Sequence, residues 1–306
     1  MDNFRMKTLR EETMVSVVIP TYNHAHLIGK ALKSLIDQTH GRWEALVINN
    51  FSKDKTIEVV ESFKDSRIKI LNFSNNGIIA ASRNHGIHHS SCEYIAFLDS
   101  DDYWYPTKLE KCLNQILKEK ADLCVNSEMV ILGDRELKVM KCGTSKELTF
   151  HQLLYRQNFI STSSVLTKKE CLTKMGGFTE DLTAITAEDY DLWLRMAKEG
   201  YKFTAVDEVL GGHLEHASNN SSNVKKHHDA TLKVIDDHFQ LIPPDRINKK
   251  IRYANLFYGS GRNATKQKMY RDALFYFFEA LKNNPFKFKI YAAIGVVLLK
   301  KLKVMS

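Results

Sequence analysis

The hydrophobic positions of the first hundred residues follow two alternating periods. Val15 to Ile19, Trp43 to Ile48, Ile68 to Leu71 and Tyr94 to Leu98 are short runs rich in β-branched and aromatic residues and read as strands. Between them, Leu27, Ile28, Ala31, Leu32, Leu35 and Ile36 mark one face of a helix, and Ile57, Val59, Val60 and Phe63 mark another. These βα steps predict an α/β fold, a Rossmann-like half whose largely parallel sheet is flanked by helices. The second half is less regular. Leu123 to Leu132 predicts a strand, Phe150 to Tyr155 a short helix, and Asp189 to Lys198 a longer helix with a strand after it, so a mixed sheet is expected. Pro243 and Pro244 then punctuate the chain, and the remainder reads as helical. The expected division is a polar tail over 1–13, a large α/β domain over 14–240 and a small all-helical appendage over 241–306.

Charge sharpens that boundary. The formal net charge is +8, yet from Leu241 to Ser306 there are 14 Lys/Arg against 3 Asp/Glu, leaving 30 against 33 in the first 240 residues. The main body is close to neutral and gives no support to a nucleic-acid-binding core. In the basic tail, Phe257, Gly261, Ala273, Phe277, Ala280 and Pro285 have the spacing of one tetratricopeptide-like helical hairpin. One such repeat cannot bury its own face, so it is expected to pack on the α/β domain or on another subunit, a homo-oligomer being one outcome. Ile290 to Leu299 is too short to span a bilayer, which needs about 20 residues. With Lys287, Lys289, Lys300, Lys301 and Lys303 around it, the run suits an anionic membrane surface, the alternative being a terminal helix docked on the hairpin. Met1 to Thr13 has no apolar core of a signal peptide, and the five scattered cysteines form neither a metal motif nor a disulfide framework. The expected address is cytoplasmic, with a peripheral place on the membrane face.

Two groups of acids carry candidate chemistry. Phe97-Leu98-Asp99-Ser100-Asp101-Asp102 sets three carboxylates at the C-terminal end of an apolar strand, where open α/β sheets bind ligands. Three acids there repel unless a cation joins them, and Mn2+ or Mg2+ bridging a diphosphate is the natural partner. The plainer reading is a solvated turn in which Asp102 caps the next helix, whose face is Leu109, Leu113 and Leu117. Further on, Glu188, Asp189 and Asp191 open a helix, where acids are also favoured by the macrodipole; a carboxylate fixed there can instead deprotonate an acceptor hydroxyl. Asp189 is the candidate base, with Glu188 beside it. No Gly-x-Gly-x-x-Gly and no P-loop follows the first strand, where Pro20, Thr21, Tyr22 and Asn23 stand.

Taken in order, Val17 to Asn23, Ser34 to Thr39, Ser82-Arg83-Asn84-His85-Gly86, Leu98 to Asp102, Gly176-Gly177-Phe178 and Glu188 to Arg195 make the chain resemble the family 2 glycosyltransferases over about Val15 to Ser222. The resemblance implies a GT-A fold and an inverting transfer from a nucleoside-diphosphate sugar to a glycan or lipid-linked acceptor in cell-surface polysaccharide synthesis. It places Pro20, Thr21, Tyr22, Asn50, Arg83, Asp99 and Ser100 at the nucleotide-sugar, Asp99 and Asp101 at the metal, and Asp189 at the catalytic base. His213 and His216 fall in a region that becomes an ordered flap in many relatives; Leu214 stands where they carry an Arg two residues before His216, and His216 joins the expected metal ligands. Ser218 to Asn223 reads as a polar lid loop. One departure is Asn49-Asn50-Phe51-Ser52, where the family commonly has paired aspartates; an Asn both accepts and donates, which leaves the base open. Two alternatives stand beside this reading: a nucleotidyltransferase, which usually shows a Gly-rich basic loop that is missing here, and a nucleotide-sugar- or glycan-binding protein with a decayed site.

Overall fold

A computed structural model describes residues 12–216, 223–243 and 245–305. The chain forms two compact units. One takes in the chain to Thr149, then Phe159–Leu182, then Glu188 through the last strand; the other takes in Phe150–Asn158, Thr183–Ala187 and the C-terminal helices.

The first unit is built on β1 (Val15–Thr21), β2 (Trp43–Asn49), β3 (Ile68–Asn72) and β4 (Tyr94–Phe97), joined through α1 (Ile28–Ile36), α2 (Thr56–Ser62) and α3 (Ile79–His89). β1 pairs in parallel with β2 and β4, and β2 with β3. Every residue of β1 and β2 is buried, as expected for strands covered on both faces. Pro20 lies within β1, but β4 pairs with β1 only as far as Val18, so the missing N–H falls beyond the two-sided ladder. The predicted strands and first two helices are therefore present, each within two residues of the expected bounds.

The rest of the sheet comes from β5 (Tyr103–Trp104), β6 (Leu123–Leu132), β7 (Arg135–Met140), β8 (Leu166–Lys168) and β9 (Phe203–Leu214). The strand order is β3-β2-β1-β4-β8-β6-β9-β5, with β7 on β6. β8 runs antiparallel between β4 and β6, and β9 runs parallel to β6, which makes the sheet mixed. α4 (Lys108–Glu119) packs Leu109, Cys112, Leu113 and Ile116 into the same core as Ile28, Leu32, Leu35 and Trp43. Asp102 does not cap α4: Thr107 is its N-cap residue, and the Asp102 side chain is engaged elsewhere. All five cysteines are buried and free.

The helical unit holds α5 (Phe150–Tyr155), α8 (Val224–Gln240), α9 (Arg246–Lys266), α10 (Tyr270–Asn283) and α11 (Phe288–Met305); α6 (Lys169–Lys174) and α7 (Glu188–Lys198) belong to the first unit. Its core gathers Val224, Ala264, Ala273, Phe277, Ala280, Ile290 and Val297. The boundary differs from the one drawn at Leu241. α8 already belongs with the helices, since Val224 lies in their core and His228 Nδ1 is 2.8 Å from Ser260 Oγ. α5 joins them through Arg252, whose Nε donates to Leu154 O at 2.9 Å. Of the expected lid loop, Asn223 is the N-cap of α8, accepting from Lys226 N, and the preceding residues lie outside the described ones.

Candidate active site

The loops after β1 and β2 are zipped together at the C-terminal edge of the sheet. Asn50 N donates to Thr21 O at 3.0 Å, Asn23 N to Ser52 Oγ at 2.9 Å, and Lys53 N to Asn23 Oδ1 at 2.7 Å. Thr21 is buried, whereas Tyr22 and Phe51 are 46% and 57% exposed. Phe51 has φ 53°, a left-handed conformation rarely adopted by a bulky residue. Asn50 Oδ1 accepts from Asn75 N at 3.1 Å, which fixes the side chain that stands where the family commonly carries an aspartate.

The acidic segment after β4 divides its work among four residues. Asp99 Oδ1 accepts from Arg83 Nη2 at 2.9 Å, and Ser100 Oγ lies 2.7 Å from His24 Nδ1. Asp101 Oδ2 lies 2.9 Å from His216 Nε2. Burial first, then the charges of Asp102 and Asp99, push the Asp101 carboxyl up to about 6. Asp102 accepts from Ser163 Oγ at 2.7 Å and from Leu214 N at 3.1 Å, with His213 Nδ1 at 3.2 Å. Burial disfavours a charged His213, but the adjacent Asp102 outweighs it and raises the imidazole to about 10, so this pair is an internal ion pair.

α7 brings in the second acidic group. Asp189 Oδ2 accepts from Thr162 Oγ1 at 3.1 Å. Burial and then the Glu188 charge push its carboxyl up to about 7 against the opposing pull of Arg83. Arg83 is 4% exposed and lies between the two groups, its Nη1 donating to Glu188 Oε1 at 2.7 Å while Nη2 serves Asp99. α3 and α7 are bound together around it. Asn84 exchanges two hydrogen bonds with the Phe178 backbone, at 2.8 and 2.9 Å, and Arg195 donates to Met175 O and Gly177 O at 2.6 and 2.7 Å.

Three of the expected site residues are paired with one another in the protein. Arg83, expected at the nucleotide, is buried and donates to two protein carboxylates. Asp99, expected on a metal, is held by that guanidinium, and among the described residues no three His, Cys, Asp or Glu side chains form a metal-holding group. Glu188, expected beside the base in catalysis, is the other anchor of Arg83. Asp101 and His216 fit a divalent ion as a pair: two adjacent ligands of an octahedral ion with bonds of about 2.1 Å lie about 3 Å apart, close to their 2.9 Å separation. Sequence reasoning missed His24, Thr162 and Ser163. His24 directly follows the Tyr22-Asn23 motif, and Thr162 to Ser164 is a run of small hydroxyl residues between Ile160 and Val165 that is wholly buried.

Comparison with known proteins bears on the family and the fold. Residues 16–174 match the family model described as Glycosyl transferase family 2. The chain is 32% identical over 189 residues to the UDP-Glc:alpha-D-GlcNAc-diphosphoundecaprenol beta-1,3-glucosyltransferase WfgD of Escherichia coli, covering 62% of this chain and 72% of that protein. Among solved structures, S. aureus TarS 1-349 in complex with UDP-GlcNAc shares the fold, with a TM-score of 0.66, 20% identity and coverage of 87% of this chain and 81% of that one. The mannosyltransferase PcManGT from Pyrobaculum calidifontis, in complex with GDP-Man and Mn2+, does so with a TM-score of 0.62, 16% identity and coverage of 96% and 86%. The chain, with a GT-A-like mixed sheet and acidic groups at the expected edge, belongs to the family 2 glycosyltransferases.

Proposed function

We propose that the chain transfers a sugar, with inversion, from a nucleoside-diphosphate donor to a hydroxyl of a lipid-linked saccharide in cell-surface polysaccharide synthesis. The observation that carries this reading is the Arg83 bridge. One buried guanidinium joins Asp99, in the donor-side segment, to Glu188, next to the candidate base, although Glu188 stands 105 positions from Arg83 along the chain. Donor and acceptor chemistry are thereby held in one rigid frame.

In this reading Tyr22 and Phe51 offer exposed rings to the nucleobase, and Pro20, Thr21 and Asn50 shape the edge against which it rests. Asp189 takes the proton of the acceptor hydroxyl as its oxygen bonds to the anomeric carbon. The bond from that carbon to the diphosphate breaks in the same displacement, which inverts the centre. A carboxyl raised to about 7 suits this role, since a general base works best when its pKa lies near the operating pH. Asp101 and His216 would hold a divalent cation, which supplies charge neutralisation to the departing nucleoside diphosphate. Glu188 and Asp99 keep Arg83 in place and act through it.

The glucosyltransferase relative WfgD points to the acceptor class, a saccharide on a polyprenyl diphosphate. The test is direct. The full chain is incubated with Mn2+, a panel of nucleoside-diphosphate sugars and a polyprenyl-diphosphate-linked N-acetylglucosamine, and products are read by mass spectrometry. One donor is expected to give a product heavier by one sugar residue. Donor hydrolysis without transfer to any lipid-linked saccharide would overturn the acceptor assignment, and neither hydrolysis nor transfer with any donor would overturn the enzymatic reading.

A further inference from the structure

The last described helix has two contrasting faces. On one, Ile290 and Val297 are fully buried against the core that contains Phe277 and Ala280 of α10. On the other, Phe288, Tyr291, Leu298, Leu299 and Leu302 are all exposed. At helical spacing these five fall within a stripe of about 100°. Just before the helix, Phe286 is 83% exposed, and Phe288 on its first turn is 80% exposed. Single exposed apolar side chains are ordinary, but a contiguous stripe ending in two protruding aromatics marks an interaction surface.

The charge around the stripe identifies the partner. From Ala280 to Ser306 the sequence contains no Asp or Glu and six lysines. Two of these are used within the unit. Lys287 Nζ donates to Asn255 Oδ1 at 2.6 Å and lies 4.7 Å over the Tyr258 ring, and Lys282 pairs with Glu279. Lys289, Lys300 and Lys301 have no acidic partner among the described residues. A second copy docking on the same stripe would set these lysines against their own counterparts with no acid on either side. No described helix is long and apolar enough to cross a membrane.

We propose that this face of α11 seats in the headgroup layer of an anionic bilayer, with Phe286 and Phe288 as wedges and Leu299 and Leu302 below the phosphates. Lys289, Lys300 and Lys301 stand outside the stripe on the flanks of the helix at helical spacing, and their long side chains reach from there to the phosphates. The inference stands on the helical unit alone and does not depend on the transfer reaction.

Flotation of the full chain tests it, using vesicles of phosphatidylcholine alone and of phosphatidylcholine mixed with phosphatidylglycerol. The chain is expected to float with the mixed vesicles at low salt and to be released by high salt. Phe286→Ser with Phe288→Ser is expected to lower partition by at least about tenfold, the contribution of a buried aromatic side chain. Lys300→Ser with Lys301→Ser is expected to lower it by roughly fivefold per lysine on anionic vesicles. All four positions are exposed, so unchanged thermal melting accompanies both results. Failure of the full chain to float with mixed vesicles at low salt overturns the proposal. So does equal flotation on phosphatidylcholine alone, or an aromatic variant that floats like the parent. A dimer in sedimentation that the aromatic variant abolishes would give the face to a second copy instead.

Discussion

At the residue scale the site turns on how three charges share Arg83. Asp99 and Glu188 hold the guanidinium from either side, and Asp189 feels both it and Glu188. The base must be deprotonated to act, so kcat/KM is expected to fall as the pH drops through about 7, the value to which burial and Glu188 raise Asp189. Glu188→Gln removes the negative neighbour that helps keep the proton on Asp189. The acid limb should then move to lower pH while the amide still accepts from Arg83. Asp189→Asn should lose about 10²–10⁴-fold in transfer with donor binding retained. A pH profile of kcat/KM for the three proteins checks this. A limb that moves upward in Glu188→Gln, or a larger loss there than in Asp189→Asn, would assign the base to Glu188. Asp189 itself was legible in the sequence as an acid at a helix start, but the Arg83 pairings were not. They join residues 16 and 105 positions apart, and no local pattern records a tertiary ion pair.

At the element scale, α3 must approach the sheet closely enough to bring Arg83 under the acidic loop. Gly86 permits this, since a Cβ there would stand 2.4 Å from Val18 Cγ1 and 2.9 Å from Val18 Cγ2 on β1. Both atoms belong to a fully buried side chain with little room to move. Gly86→Ala is therefore expected to cost about 1–3 kcal/mol of stability, as overpacked cores do, and to shift Arg83 so that transfer falls as well. Adding Val18→Ala in the same chain should recover part of both, a coupling that melting curves and turnover of the single and double variants would reveal. A Gly86→Ala protein that melts and turns over like the parent would show that α3 does not rest on Val18. Elements differ in how plainly the sequence announces them. β1, β2 and α1 are buried and periodic, and their residues say so. β5 and β8 have two and three residues, too few to show a period. β7, Arg135–Met140, has almost no buried face: Leu137 and Val139 alternate with polar residues but both stand exposed, so the short pattern marks no core. α8 opens with lysines and histidines, so its membership of the helical unit was hidden until Val224 and His228 were seen in the interior.

At the scale of the whole sheet, strand direction explains why His216 meets Asp101. β8 lies antiparallel to both β4 and β6, so two reversals restore the direction of β4 in β6, and β9 follows β6 in parallel. The C-terminal ends of β1, β2, β4 and β9 thus share one edge, where parallel sheets gather their ligands. The chain leaving β9 there delivers His213 to Asp102 and His216 to Asp101. If that second pair holds a cation beneath a diphosphate, nucleotide and metal should stabilise the folded chain together. A ligand at a hundredfold excess over its Kd adds about 2.7 kcal/mol, and each kcal/mol raises the melting temperature of a domain this size by roughly 2–4 °C. A nucleoside diphosphate with Mn2+ is expected to produce a shift of that order, the nucleotide with chelator a smaller one, and Mn2+ alone little. Asp101→Asn and His216→Ala should each remove the increment due to Mn2+ and leave the metal-free shift in place. Carboxylate and imidazole must both be deprotonated to bind a cation, so the same increment should shrink as the pH is lowered toward 5. Equal nucleotide shifts in Mn2+ and in chelator, across that pH range, would mean that Asp101 and His216 serve only each other.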